Sequence, residues 1–159
     1  MVAFNGPDFS DFGCGPDRAI DQSLGNGWGS TTDFDASGTA VPKFVTVKLP
    51  AAVNVSQFAV DPGNTCGDGG SASTKDFRIE TSKDGTTFTV AASGSFGVAD
   101  RHRLNAVTPA AGTGDGVTLV RFTMINPQLP GSPTQLCPGP FSGCLFLDMS
   151  ELEVYGLPS

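Results

Sequence analysis

The sequence predicts an all-β domain, a β-sandwich or jelly roll of about eight short antiparallel strands. Three observations predict it. Short runs rich in Val, Phe and Thr alternate apolar with polar residues. Turn formers separate the runs, since the 159 residues include 21 glycines and 12 prolines with no fixed period. No stretch of helical length carries a 3.6-residue apolar repeat.

The elements follow in order. Residues 1–17 form a turn-rich arm, with Phe4, Phe9 and Phe12 placed to pin it onto the core. Residues 18–30, RAIDQSLGNGWGS, are irregular and poor in strand formers. KFVTVKLP (43–50) sets Phe44, Thr46 and Lys48 against Val45, Val47 and Leu49. Pro50 is expected to stop that strand, because it cannot donate to a ladder. A second strand at 54–63 carries Val55, Phe58 and Val60 into a Pro-Gly turn. Residues 76–94 form a hairpin that turns at Lys83-Asp84-Gly85. Strands are expected in 101–107 and 117–125, and after a Pro-rich stretch at 127–143, CLFLDMSELEVYG (144–156) supplies one or two more. The whole of 1–159 is expected to be a single domain.

The closing strand poses a question. Glu151 and Glu153 share one parity while Leu152 and Val154 share the other. Strict alternation sends both carboxylates the same way, so a bulge or an exposed face is required.

Composition narrows the function. A formal net charge of −7 argues against nucleic acid and anionic membrane as partners. Charged residues make up only 16%, too few for a disordered acidic tail. Met1-Val2-Ala3 leads straight into polar turn sequence and is read as the start of an excised piece of a longer protein. The four cysteines lack a C-x-x-C pair and lie in Gly/Pro-rich loops, which suits disulfides and an oxidising compartment better than zinc. Three pairings are open. Cys137–Cys144 as a local staple and Cys14–Cys66 as a long one are favoured over the others and over free thiols.

Catalytic signatures are absent. H-E-x-x-H, G-x-S-x-G and a phosphate-binding loop do not occur, and His102 is the one histidine. The Asp8/Asp11 and Asp33/Asp35 pairs sit in Gly- and Ser-rich loops, where aspartate forms turns. The chain is expected not to be an enzyme.

Five pieces in order carry a family resemblance. AIDQSLGNGWGS (19–30) resembles an A-x-D-G-x-x-x-T-x-W entry, and FVTVKLPAAVNVSQFAV (44–60) a strand pair. DFRIETSKDGTTFTVAASG (76–94) resembles a hairpin with an S-x-D-G turn. VRFTMI (120–125) and SELEVYG (150–156) resemble the last strands. Together they resemble discoidin (coagulation-factor type C) domains, a galactose-binding-like group that includes family 32 carbohydrate-binding modules. The chain departs from the pattern at Gln22, where Gly is usual, at Asn26, where Thr is usual, and at Lys48-Leu49-Pro50.

The resemblance implies a discoidin-like jelly roll and a structural calcium ion. Its ligands would be the side chains of Asp21, Asn26 and Glu151 with the carbonyls of Arg18, Ser23 and Ser150, an all-oxygen set of the kind calcium takes. Trp28 falls at the family's recurrent Trp, a core and loop-anchoring position. Ligand contacts are expected in loops 30–41, 64–74, 97–103 and 126–144. Arg101, His102 and Arg103 are the densest donor cluster there, and Phe141 is a loop-tip aromatic suited to stacking.

AVDPGNTCGDG (59–69) with the closing strand also resembles C-terminal appendages of secreted bacterial fungalysin-type metalloproteases. The implied role is a monomeric, secreted, noncatalytic module that targets a parent catalytic domain to a glycan or an extracellular matrix protein. The alternative role is a stabilising appendage that packs on its parent and binds nothing else.

Overall fold

The computed structural model describes residues 1–63, 65–67, 70–129 and 137–159. Nine strands are present among them: β1 Ala3–Phe4, β2 Trp28–Thr31, β3 Lys43–Asp61, β4 Asp76–Ser82, β5 Thr89–Ser95, β6 Asn105–Val107, β7 Val117–Met124, β8 Phe146–Met149 and β9 Glu151–Pro158. Every strand pair is antiparallel. The helical content is three short 3₁₀ segments, at Ser10–Phe12, Pro16–Ile20 and Val98–Asp100. The all-β sandwich expected from alternation is the observed fold.

The two strands expected at 43–50 and 54–63 are one. β3 runs unbroken over 19 residues, so Pro50 does not end it. The register against β7 shifts between Lys48 and Val53, and Pro50 lies inside that shift, where no ladder hydrogen bond is asked of it. The N-terminal half of β3 pairs with β1 and β7, and β7 continues to β4 and β5. The C-terminal half pairs with β6 and β9. β3 thus organises a single seven-stranded sheet, and β2 with β8 forms a second, two-stranded one.

The core follows the alternation. Val45, Phe58, Val60, Ile79, Val120 and Phe122 have no exposed surface, and Leu152 is buried beside them. On the face of the seven-stranded sheet away from the core, Arg121 lies over the rings of Phe44 and Phe88, 4.8 and 3.9 Å from their centroids. Trp28 is fully buried, as expected of an anchoring residue, and Phe4 meets it edge-on at 6.4 Å.

Two expectations about the N-terminal region need correction. Trp28–Thr31 is a strand, paired with β8 from Trp28↔Met149 to Thr31↔Phe146. Its four residues are too few to show a period. Phe12 does not pin the arm, because it is 81% exposed. The arm is held instead by β1 on β3 and by a disulfide from Cys14 to Cys66. One aspartate of each pair forms a turn, while Asp33 pairs with the buried Lys43. Asp8 accepts from the Ser10 N–H, and Asp35 accepts from the N–H groups of Ser37 and Thr39.

The contrast between two phenylalanines tests this arrangement. Phe122→Ala should lower unfolding free energy in urea by about 3–5 kcal/mol, and Phe12→Ala should change it by less than about 0.5 kcal/mol.

Candidate functional site

The end of the sandwich that gathers the long loops is bound together by side-chain hydrogen bonds. Gln128 is central to it. Its Oε1 accepts from Arg101 Nε at 2.8 Å, and its Nε2 donates to the carbonyls of Thr74 and Gly97 at 3.3 and 3.1 Å. Asp61 takes the His102 N–H at 3.1 Å, which holds His102 in a left-handed conformation with φ of 58°. Both disulfides favoured by the sequence are formed, Cys14–Cys66 and Cys137–Cys144, and both sit in this rim.

The rim opens into a cleft of about 330 Å³ whose walls include Phe9, Phe12, Phe141 and Phe146. Phe146 lies 6.1 Å from Phe9 and 5.8 Å from Phe141, ring centre to ring centre. Phe9 meets Phe12 at 6.4 Å. The Cys14–Cys66 bridge, Gly29 and Asp148 complete the lining. Gly29 packs closely there, since a Cβ would stand 3.3 Å from Asp148 Oδ1.

The sequence-derived ligand residues divide between two depressions. Phe141 is half exposed on the aromatic cleft. Arg103 lines a separate open depression of about 380 Å³ with Phe77, Phe96, Asp100 and Asn105. Arg101 is engaged with Gln128, and His102 lines neither depression. Parts of loops 64–74 and 126–144 lie outside the described residues. Phe9, Phe12, Phe146, Gly29 and Asp148 were not legible as cleft residues. Phe9 and Phe12 have the composition of a packing arm, and Phe146 and Asp148 that of an ordinary alternating strand.

Of the residues implied as calcium ligands, the side chains of Asp21, Asn26 and Glu151 and the Ser23 N–H belong to one hydrogen-bonded network. Alternation in β9 is unbroken. Leu152 and Val154 face the core, and Glu151 and Glu153 face away from it. The two carboxylates then meet different surroundings. Glu153 stays partly exposed and accepts from the Tyr155 hydroxyl. Glu151 is covered by the 16–26 segment until it is only 1% exposed. Its Oε2 accepts the Ser23 N–H at 3.1 Å, and the same N–H reaches Asp21 Oδ1 at 3.2 Å. Asp21 also pairs with Arg18 at 3.2 Å and accepts from Asn26 Nδ2 at 3.1 Å.

Gly27 lets this loop touch the last strand, since a Cβ would come within 2.8 Å of Ser150 Cα. One buried side-chain oxygen of the set, Asn26 Oδ1, has no hydrogen-bond partner, and neither has the neighbouring Ser150 Oγ. Two carboxylates, an amide oxygen and loop carbonyls suit a hard divalent cation. Among the described residues no third carboxylate, His or Cys joins them.

Gln22 occupies the position where glycine is usual and has φ of 63°. A side chain in that left-handed region costs roughly 1–2 kcal/mol. Gln22→Gly should therefore raise unfolding free energy by about 0.5–1 kcal/mol, the remainder being offset by the freer unfolded chain.

Burial lifts the Glu151 carboxyl from 4.5 to about 7, against the lowering effect of the Ser23, Gln22 and Leu152 N–H groups, and the Asp21 charge adds to the rise. Burial also raises Asp61, against donors from Gly63 and His102. Groups raised in the folded state bind more protons there than in the unfolded chain. Their contribution is complete below the unfolded value and is lost as pH climbs through the folded one. Asp33, Asp35, Asp76 and Asp84 are shifted down, so their opposite contribution is complete before this window opens. In metal-free buffer the melting temperature should fall between about pH 5 and pH 7.5. A flat or rising profile would show that Glu151 and Asp61 ionise freely.

Comparison with known proteins fits this geometry. The model of the F5/8 type C domain matches residues 7–128. No curated protein matches by sequence. Among solved structures, the CBM32-3 domain of a family 31 glycoside hydrolase from Clostridium perfringens is 19% identical with a TM-score of 0.67, over 98% of this chain and 88% of that one. The CBM32-5 domain of CpGH89 from the same organism, solved with GalNAc-β-1,3-galactose, is 17% identical with a TM-score of 0.66, over 97% and 93%. An F5/8 type C domain from Bacteroides fragilis is 15% identical with a TM-score of 0.65, over 99% and 92%. With its family model covering most of the sequence and the fold shared end to end, the chain belongs to the F5/8 type C, or discoidin, domain family.

Proposed function

We propose that the chain is a noncatalytic glycan-binding module, stabilised by calcium, that targets a secreted bacterial enzyme to its substrate. The observation that carries the reading is the aromatic cleft at the loop end of an F5/8 type C fold. Aromatic rings present the flat apolar surface that a pyranose face needs, and here the rim that holds them is cross-linked. Similar domains have been solved with GalNAc-β-1,3-galactose and with GalNAc bound. Two disulfides favour an oxidising, extracellular setting. A fungalysin-type parent and an extracellular matrix protein as target remain part of the proposal on the strength of the resemblance.

Calcium would sit between the side chains of Asp21, Asn26 and Glu151, joined by the carbonyls of Arg18, Ser23 and Ser150. Its charge would offset the two carboxylates that now share one N–H, and it would give the partnerless Asn26 oxygen a ligand. It would tie the first loop to the last strand and take no part in chemistry.

The stabilising-appendage reading has one observation in its favour. β9 pairs only with β3 among the described residues and exposes Tyr155 and Leu157, the latter by 75%.

Two measurements test the proposal. Calcium should raise the melting temperature of the wild type, by an amount equivalent to about 2.7 kcal/mol at a hundredfold excess over Kd, and Asp21→Ala or Glu151→Ala should abolish the rise. A screen of immobilised glycans, collagen and gelatin should give a saturable glycan signal that Phe141→Ala weakens without changing the melting temperature. Wild-type affinity in Phe141→Ala, Arg101→Ala and Arg103→Ala alike would remove the site. Silence across the panel would favour the appendage.

A further inference from the structure

The strand edges of this fold are not equally protected. An open edge offers unpaired N–H and C=O groups to any extended chain, and proteins blunt such edges by making them short, charged or proline-bearing. β1, β2, β6 and β8 are four residues long or less. β9 carries Glu151, Glu153 and Pro158. β5 has none of these devices. It ends the β1-β3-β7-β4-β5 order, and its seven residues, TVAASGS, include no charge and no proline. The direction of its free groups follows from the register. Ser95 stands opposite Asp76, whose carbonyl is taken by the Ile125 N–H at 2.8 Å on the β7 side. Residues facing each other in an antiparallel pair either exchange both bonds or turn both sets outward. The Ser95 groups therefore point away from β4, and those of Ser93 follow by the two-residue period. Phe96, next in the chain, points the other way and donates to the Lys75 carbonyl at 2.9 Å. Ser93, Gly94 and Ser95 are all exposed, and β5 pairs only with β4 among the described residues.

This edge borders the depression that Arg103 lines. The stacked rings of Phe77 and Phe96, 4.4 Å apart, form its apolar base. Gly94 brings the β5 backbone onto the Phe77 ring, where a Cβ would stand 3.0 Å from it. Asn105 Nδ2 donates to the carbonyls of Val60, Asp100 and Arg103 at 3.0, 2.7 and 3.0 Å, which fixes the turn that presents Arg103. Asp100 lines the depression as well, but its Oδ2 is engaged by the Gly97 N–H at 2.7 Å. Arg103 is exposed and has no ion pair among the described residues.

We infer that the β5 edge docks an extended peptide segment of a protein partner. The segment adds as a strand beside residues 93–95, sets an apolar side chain over Phe77 and Phe96, and turns a carboxylate toward Arg103. Charge complementarity fixes its composition. The depression offers one unpaired cation, while the net charge of −7 repels a strongly acidic chain. The partner segment therefore carries a single carboxylate in otherwise neutral, strand-forming sequence. The inference goes beyond the glycan-binding reading and does not rest on it, since the aromatic cleft shares none of these residues.

The probes are acetylated, amidated hexapeptides of alternating threonine and valine, with glutamate placed at each position in turn. Their glutamine counterparts, and the tightest binder remade with a central proline, are the controls. Amide hydrogen exchange of the intact chain is followed by NMR at neutral pH, with and without each peptide. In the free protein the N–H groups of Gly94 and Phe96 should exchange slowly and those of Ser93 and Ser95 fast. At least one glutamate peptide should slow Ser93 and Ser95 by about tenfold or more at saturation. It should bind roughly three- to fivefold more tightly than its glutamine counterpart, and the central proline should abolish binding. Arg103→Gln should erase the preference for glutamate without changing the melting temperature. Ser93→Pro should abolish binding, because it removes an N–H that β4 does not use. Its melting curve is recorded alongside, and the proline peptide makes the same test on the wild-type chain if the variant fails to fold. Slow exchange of Ser93 and Ser95 in the free protein would show the edge already covered and overturn the inference. Failure of every peptide to bind, or equal affinity of glutamate and glutamine peptides, overturns it as well. Protection that grows with protein concentration and needs no peptide would give the edge to a second copy of the chain and overturn the peptide as its occupant.

Discussion

Because β3 runs unbroken from Lys43 to Asp61 while its partners change, one strand sets the geometry of the whole seven-stranded sheet. Its first half fixes the register of β1 and β7, and through β7 that of the β4–β5 hairpin. Its second half fixes β6 and β9. The last pair of the β3–β9 ladder sets Asp61 opposite Glu151. One end of the long strand therefore delivers two buried carboxylates, Asp61 and Glu151, to the loop-bearing end of the domain. A one-residue slip in that ladder would turn Glu151 into the core and Leu152 out of it. The burial of Leu152 is what holds Glu151 in place.

Placing a carboxylate there works against folding unless something answers its charge. Water is largely excluded, and N–H donors from Ser23, Gln22 and Leu152 compensate only in part, so the carboxyl still holds its proton to about pH 7. Gln22 contributes one of those donors from a left-handed conformation that most side chains avoid. A segment of strained backbone, two close carboxylates and two partnerless oxygens is poor design for a metal-free contact. Under the calcium proposal, a divalent cation would offset the two carboxylates and be coordinated by the partnerless Asn26 oxygen.

The parts legible in the sequence were those with a period or a local rule. Alternation located β4, β5, β7 and the closing strands, and placed Leu152 and Val154 on one side of β9 and the glutamates on the other. Loop position and even count located the disulfides. Pro50 misled because a proline ends a strand only where a ladder hydrogen bond is required, and a register shift removes that requirement. β2 escaped because Trp28-Gly29-Ser30-Thr31 is too short to show a pattern and is held by its pairing with β8. The cleft was the least legible part. Phe9 and Phe12 come from the arm, Phe141 from a loop and Phe146 from a strand, so their meeting is a property of the tertiary fold.

The disulfides divide the molecule into two mechanical parts. The sandwich core is built from aliphatic and aromatic side chains with no cystine among them. The two bridges instead hold the rim. Cys14–Cys66 fixes the arm that carries Phe9 and Phe12, and Cys137–Cys144 closes the loop that carries Phe141. Each bridge therefore anchors one aromatic wall of the cleft, with Phe146 between them on β8. Loops rich in Gly and Pro lose much entropy when they close on a ligand, and cross-links remove part of that loss in advance. The long Cys14–Cys66 bridge also stabilises the fold itself, because it removes loop-closure entropy from the unfolded chain over a separation of 52 residues. Under the binding proposal, the same placement would hold separated aromatic rings in position before a ligand arrives.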